Sequence, residues 1–252
     1  MTIHWALLAS LPSPAAGTPG WLGPAERQRV AAFRVPKRRA DFLLGRLAAK
    51  RLVARLLADV VRVDLSLDDF DIVAEVSGAP VVRLANGGTL AVGVSISHSE
   101  GMAFSAAWAD TGDGVSAGAD LEWIAPRSEA LVRDFFRPEE IDAWMALPPG
   151  GVRDTFATAV WSAKEAVLKA LRLGLAVDTR TVGILLSKSG VDGLPGLPRP
   201  GGGDWKGFEA LVAPGVPGAN RPLAGFWREE EGFVLTMAIS GPAPEARSRH
   251  AA

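Results

Sequence analysis

The 252-residue chain has no cysteine, which excludes disulfides, thiolate metal sites and cysteine nucleophiles. It has almost no excess of charge of either sign. Lys and Arg number 27 and Asp and Glu 28, so the net charge is -1. No global field therefore favours nucleic acid or an acidic membrane, and any anion site must be built locally. It also lacks an apolar run long enough to cross a bilayer. Its first residues, MTIHWALLASLPSPAA, carry no basic segment ahead of their short apolar run, so no secretory signal is expected. These absences lead us to expect a soluble, cytoplasmic protein. What is present is ordinary globular composition, 48% hydrophobic and 22% charged. The length suffices for a sizeable core, in one large domain or two small lobes.

Hydrophobic periodicity predicts a strand over 3–8, a short helix over 25–33 and a long helix over 37–58. In the long helix Phe42, Leu43, Leu47, Leu52, Val53, Leu56 and Leu57 recur at helical spacing, with Arg39, Arg46 and Lys50 opposite. Strands are expected at 70–76, 80–84, 90–96 and 102–109, the last two bracketing a loop, Ser97-His98-Ser99-Glu100-Gly101. The polar break at 110–114 divides the chain into an N-terminal lobe, 1–113, and a C-terminal lobe, 114–252. The second half reads as a strand at 115–124, helices at 128–136, 138–147 and 154–173, and strands at 182–186, 208–212 and 233–239. Gly174 is expected to cap the last helix. The Gly- and Pro-rich stretch near 190–203 is expected to be a flexible loop and the tail from about 241 disordered. Each half reads as strands plus one long helix, without a strong internal sequence repeat.

Three groups of residues carry chemistry. Asp120 and Glu122 stand two apart in Gly118-Ala119-Asp120-Leu121-Glu122-Trp123, so in a strand both carboxylates share one face while Ala119, Leu121 and Trp123 point to the core. Carboxylates are depleted in strands and repel each other, a penalty that a hard divalent cation reverses. A solvated strand face would need no metal. In Trp161-Ser162-Ala163-Lys164-Glu165-Ala166-Val167-Leu168-Lys169, helical spacing puts Trp161, Glu165 and Lys169 on one stripe. A surface Glu–Lys pair would have the same spacing. His98, flanked by Ser97 and Ser99, is placed to donate to a phosphate oxygen or to bond nearby backbone.

In order and spacing these three blocks resemble the 4'-phosphopantetheinyl transferase superfamily, in its larger two-lobed type. Phe135-Phe136 between the second and third blocks fits it too, and weaker similarity reaches back to Leu44-Gly45-Arg46. The resemblance implies an α+β fold of two similar lobes in a pseudo-twofold arrangement, each a small sheet on a long helix, with coenzyme A in the cleft between them. It implies Mg2+, or Mn2+ in its place, bound by Asp120, Glu122 and Glu165. It implies His98 and Lys169 at the phosphates, as catalytic groups with Glu165, and Arg46, Ser97 and Lys164 among the coenzyme A contacts. One departure concerns a basic residue that the family often carries between Gly and Pro ahead of the histidine block. Here the triplet is Gly78-Ala79-Pro80, which implies either weaker coenzyme A binding or substitution by Arg83 or another cation.

On this reading the chain, as a monomer, transfers phosphopantetheine from coenzyme A to a serine of an apo acyl or peptidyl carrier protein. The products are holo carrier protein and adenosine 3',5'-bisphosphate. Glu165 is the candidate base, directly or through water. Two rivals remain: a degenerate homologue that binds coenzyme A or a carrier without transfer, and a metal-dependent nuclease. The latter would want a basic groove that the balanced charge does not supply.

Overall fold

The computed structural model describes residues 2–11, 17–174, 177–187 and 197–243. It is α+β, with five helices and two five-stranded antiparallel sheets. The first sheet contains β1 (His4–Leu8), β2 (Phe70–Ala74), β3 (Pro80–Leu84), β4 (Thr89–Ser99) and β5 (Met102–Ala109), in the order β1-β5-β4-β3-β2. The second contains β6 (Ser116–Trp123), β7 (Val182–Leu186), β8 (Lys206–Val212), β9 (Leu223–Glu230) and β10 (Phe233–Ser240), in the order β6-β10-β9-β8-β7. The two orders are the same when read in chain sequence. Each sheet carries a short helix and a long one: α1 (Pro24–Ala31) and α2 (Pro36–Leu56) with the first, α4 (Pro138–Met145) and α5 (Gly151–Ala170) with the second. A further helix, α3 (Glu129–Phe135), precedes α4. This is the expected pair of similar lobes.

The likeness extends to side chains that sequence periodicity alone did not relate. α1 and α4 both begin with proline, which suits the first helical position. In each, the third residue is a buried glutamate that turns back to its helix start. Glu26 accepts from the Gly23 N–H at 3.1 Å and Glu140 from the Arg137 N–H at 2.8 Å. Glu26 also takes the Ile72 N–H of β2, and Glu140 the Ile184 N–H of β7. Each glutamate pairs with a fully buried lysine of the long helix, Lys50 at 2.5 Å and Lys164 at 2.9 Å. Burial lowers both lysines from their ordinary value, and the adjacent glutamate opposes this. These paired charges lock the helices to the edge strand of each sheet.

Three apolar layers hold the molecule together. Leu52, Val53 and Leu56 of α2 pack on Ile72, Val82 and Val94. Val160, Val167 and Leu168 of α5 pack on Val182, Val234 and Ala238. Between the sheets lies a third core, with Phe104, Ala106 and Trp108 of β5 against Ala119, Leu121, Leu235 and Met237. Strand alternation produces this layering: one face of each central strand meets its helix and the other meets the opposite sheet.

Several boundaries differ from the sequence reading. β4 continues through Ser99, so the histidine block is strand and not loop. β9 was not foreseen, because Gly225 and the run Arg228-Glu229-Glu230 mask its apolar alternation. Trp123, expected in the core, is 43% exposed at the end of β6. Arg172 takes the left-handed conformation that ends α5, ahead of Gly174. Gly241 is buried, and its N–H donates to the Pro222 carbonyl at 2.8 Å. Residues 190–196 of the expected loop and 244–252 of the expected tail lie outside the described residues. No described helix is long and apolar enough to cross a membrane.

Candidate active site

Asp120 and Glu122 lie on the face of β6 that meets α5, opposite Thr236 and Val234 of β10. The strand can lie this close to the helix because residue 118 is glycine. A Cβ there would fall 2.0 Å from the Ala166 carbonyl oxygen. Asp120 is 1% exposed and fully engaged. Its Oδ1 accepts from Lys169 Nζ at 2.6 Å and from Ser97 Oγ at 2.8 Å. Its Oδ2 accepts from Ser162 Oγ at 2.7 Å. Ser162 thereby spends its one hydrogen, so Thr236, 2.8 Å away, donates to Ser162. Glu122 accepts from Trp161 Nε1 and from Arg127 Nη2, both at 3.1 Å. Glu165 reaches Lys169 Nζ at 3.8 Å.

The charges interact strongly. Burial would raise the Asp120 carboxyl, but the Lys169 ammonium and the hydrogen bonds from Lys169, Ser162 and Ser97 hold it below the usual carboxylate range. Glu165 is pushed up to about 7, by desolvation first and then by the negative charge of Asp120, with Lys169 opposing. Burial and the Asp120 charge also raise Glu122 against Arg127 and Trp161. Burial would lower Lys169, but Asp120 and Glu165 more than offset it, so its ammonium is reinforced. The site thus holds more negative charge than its one lysine and Arg127 neutralise.

β4 supplies the link to the first sheet. Alternation turns Ser95, Ser97 and Ser99 toward β6 and His98 toward α2. Ser95 Oγ accepts from the Ala119 N–H at 2.9 Å, and Ser99 Oγ from the Trp123 N–H at 3.3 Å. Ser97, expected against coenzyme A, gives its hydrogen to Asp120. His98 lines a cavity of about 470 Å3 together with Arg46, Arg29, Arg38, Phe33 and Phe42. The Arg46 guanidinium lies over the Phe42 ring, 4.7 Å from its centre, and Arg46 Nε is buried without a hydrogen-bond partner among the described residues. Gly78 and Pro80 border the same cavity, so it is the neighbourhood of the departure at Ala79. Arg83 is exposed on β3 and does not line this cavity; Arg29 and Arg38 do. Their spacing, one helical turn from Phe33 and Phe42, is the signal that could have found them.

Lys164 requires a correction. It neighbours Glu165 in sequence but points to the other side of α5. There it is fully buried, paired with Glu140 and bonded to the carbonyls of Thr179 and Val182. It is a structural residue and not a coenzyme A contact. Sequence reasoning missed Ser162, Thr236 and Arg127, because nothing in a single sequence shows that a serine or arginine partners a distant acid.

Asp120, Glu122 and Glu165 form an all-oxygen donor set of the kind a hard divalent cation takes, and such a charge would relieve the crowding that raises Glu122 and Glu165. Among the described residues, no three or more His, Cys, Asp or Glu side chains are already arranged to hold a metal ion. Oxygens of Asp120 and Glu122 instead accept from Lys169, Trp161 and Arg127. The donor chemistry fits the ion, provided those contacts exchange.

Residues 25–108 match the model of the 4'-phosphopantetheinyl transferase N-terminal domain, and residues 116–213 that of the 4'-phosphopantetheinyl transferase superfamily. The chain is also similar to a holo-[acyl-carrier-protein] synthase of Geobacillus sp. (strain WCH70), at 36% identity over 74 residues. That match takes in 29% of this chain and 61% of the relative. With both units matched, and with the acids of the second gathered around one lysine, the chain belongs to the 4'-phosphopantetheinyl transferase superfamily.

Proposed function

We propose that the protein transfers the 4'-phosphopantetheine arm of coenzyme A to a serine of an apo acyl or peptidyl carrier protein, leaving adenosine 3',5'-bisphosphate. The observation that carries this reading is the convergence of Asp120, Glu122 and Glu165 around Lys169, in a chain that matches the family over both units. The lobes, 1–113 and 114–252, would receive coenzyme A between them, and the protein would act as a monomer in the cytoplasm.

Mg2+ or Mn2+ held by the three acids would neutralise the pyrophosphate of coenzyme A. The chain's own residues do the rest. Arg46, Arg29 and Arg38 outnumber Asp41 in the cavity that His98 also lines, which suits it to the 3'-phosphate end, with Phe33 and Phe42 as apolar wall. Lys169 is reinforced as a cation, so it can leave Asp120 for the transferring phosphoryl group and stabilise its charge. Glu165 would take the proton of the carrier serine, directly or through water, as its oxygen attacks phosphorus. The bond from that phosphorus to the bridging oxygen then breaks, and the electron pair leaves with the bisphosphate. Ser97 and Ser162 keep Asp120 in place throughout.

Mass spectrometry of apo carriers from fatty acid, polyketide and nonribosomal peptide synthesis, after incubation with coenzyme A and Mg2+, tests this. A gain of the phosphopantetheine mass is expected on at least one class. Coenzyme A binding without mass gain on any of them would overturn the assignment in favour of a binding protein. Cleavage of DNA with no labelling would favour a nuclease.

A further inference from the structure

The offset that carries Glu26 to Glu140 and Lys50 to Lys164 also carries Ala6 to Asp120, Leu8 to Glu122, Ala48 to Ser162, Arg51 to Glu165 and Arg55 to Lys169. The strands agree. β1 stands in the first sheet where β6 stands in the second, and Ser105 lies opposite Ala6 as Thr236 lies opposite Asp120. The first unit therefore contains a counterpart of the acidic site from which every acid is missing. One trace of the polar network persists. The Ser105 hydroxyl is fully buried and has no hydrogen-bond partner among the described residues, where Thr236 has Ser162.

On the α2 side of β1 lies a cavity of about 400 Å3, walled by Ala6, Leu8, Ala48 and Leu52 and edged by Arg51 and Arg55. Three acids and a lysine in one unit are thus answered by two guanidinium groups and no acid in the other. Arg51 and Arg55 are four apart on α2, so both can reach one ligand. Both are exposed, and neither forms an ion pair with a described residue. Paired guanidinium forks match the oxygens of a phosphate, and the apolar wall suits a hydrophobic group attached to it. We propose that this cavity is a second ligand site, for an organic phosphate carried on a small apolar body. The assignment is independent of the transferase reading.

The test follows the backbone N–H resonances of Ala48 and Leu52 in the intact, 15N-labelled protein during titration with phenyl phosphate. These shifts are expected to saturate, and half-saturation to need at least ~10-fold more ligand in Arg51→Gln/Arg55→Gln. Binding to wild type should also weaken as ionic strength rises, a reading that needs no variant. The site is refuted if neither resonance responds, if the double variant titrates like wild type, or if uncharged benzyl alcohol binds as tightly.

Discussion

Glu165→Gln isolates the acid whose ionisation its surroundings oppose most. In the folded protein this carboxyl is pushed from its ordinary 4.5 up to about 7, by burial first and then by Asp120, while Lys169 pulls the other way. The unfolded chain releases the proton near the ordinary value. Between those two values the folded state holds a proton that the unfolded state has lost. The contribution of this group to stability is therefore complete below 4.5, declines as pH rises through the window and is gone above about 7. At about 1.4 kcal/mol per pKa unit, the full displacement amounts to at most about 3 kcal/mol. Glutamine is neutral throughout and nearly isosteric, so it removes this dependence. Relative to wild type, the variant should gain up to about 3 kcal/mol between pH 5 and pH 8. Urea unfolding followed by tryptophan fluorescence, in chelated buffer across that range, measures the difference. Parallel wild-type and variant stabilities across the window would refute the electrostatic account of the site. Repeating the experiment at pH 8 with Mg2+ tests the ligand assignment, because a ligand that binds only the folded state adds stability. Wild type should gain more than the variant, and an equal gain would remove Glu165 from the donor set.

Asp120→Ala should cut phosphopantetheine transfer at least ~100-fold in a carrier-labelling assay, and near wild-type turnover would reject its role. Lys169→Ala should impair transfer more than folding, so unchanged kinetics at limiting coenzyme A would count against it. Arg29→Gln with Arg38→Gln should raise KM for coenzyme A with little change in kcat, whereas a fall in kcat alone would place these residues elsewhere. Lys164→Met strands the Glu140 charge in the core and should cost about 3–5 kcal/mol, with Glu140→Gln in the same chain recovering part of it. Full stability of the single variant, read by urea unfolding, would show that the pair is not the lock described.

The chain's order of residues was sufficient for those parts of the molecule that obey local rules. The period of two in Asp120-Leu121-Glu122 and of four in Trp161, Glu165 and Lys169 is set by backbone geometry, so which face each acid occupies was legible without a structure. The apolar periodicity of 37–58 and the alternation of 102–109 were legible for the same reason. Contacts between distant segments have no such rule. Ser162 and Thr236 behind Asp120, Arg127 beside Glu122, and Arg29 and Arg38 beside the gap at Ala79 are side chains whose partners are fixed only when the sheets and helices pack. Lys164 shows the difference most clearly. Its place next to Glu165 suggested a shared site, but consecutive helical residues point about 100° apart, and packing took its ammonium to Glu140. The duplicated plan was hidden likewise. It shows in the paired Glu–Lys locks and in strand order, both of which depend on contacts between segments distant in the chain.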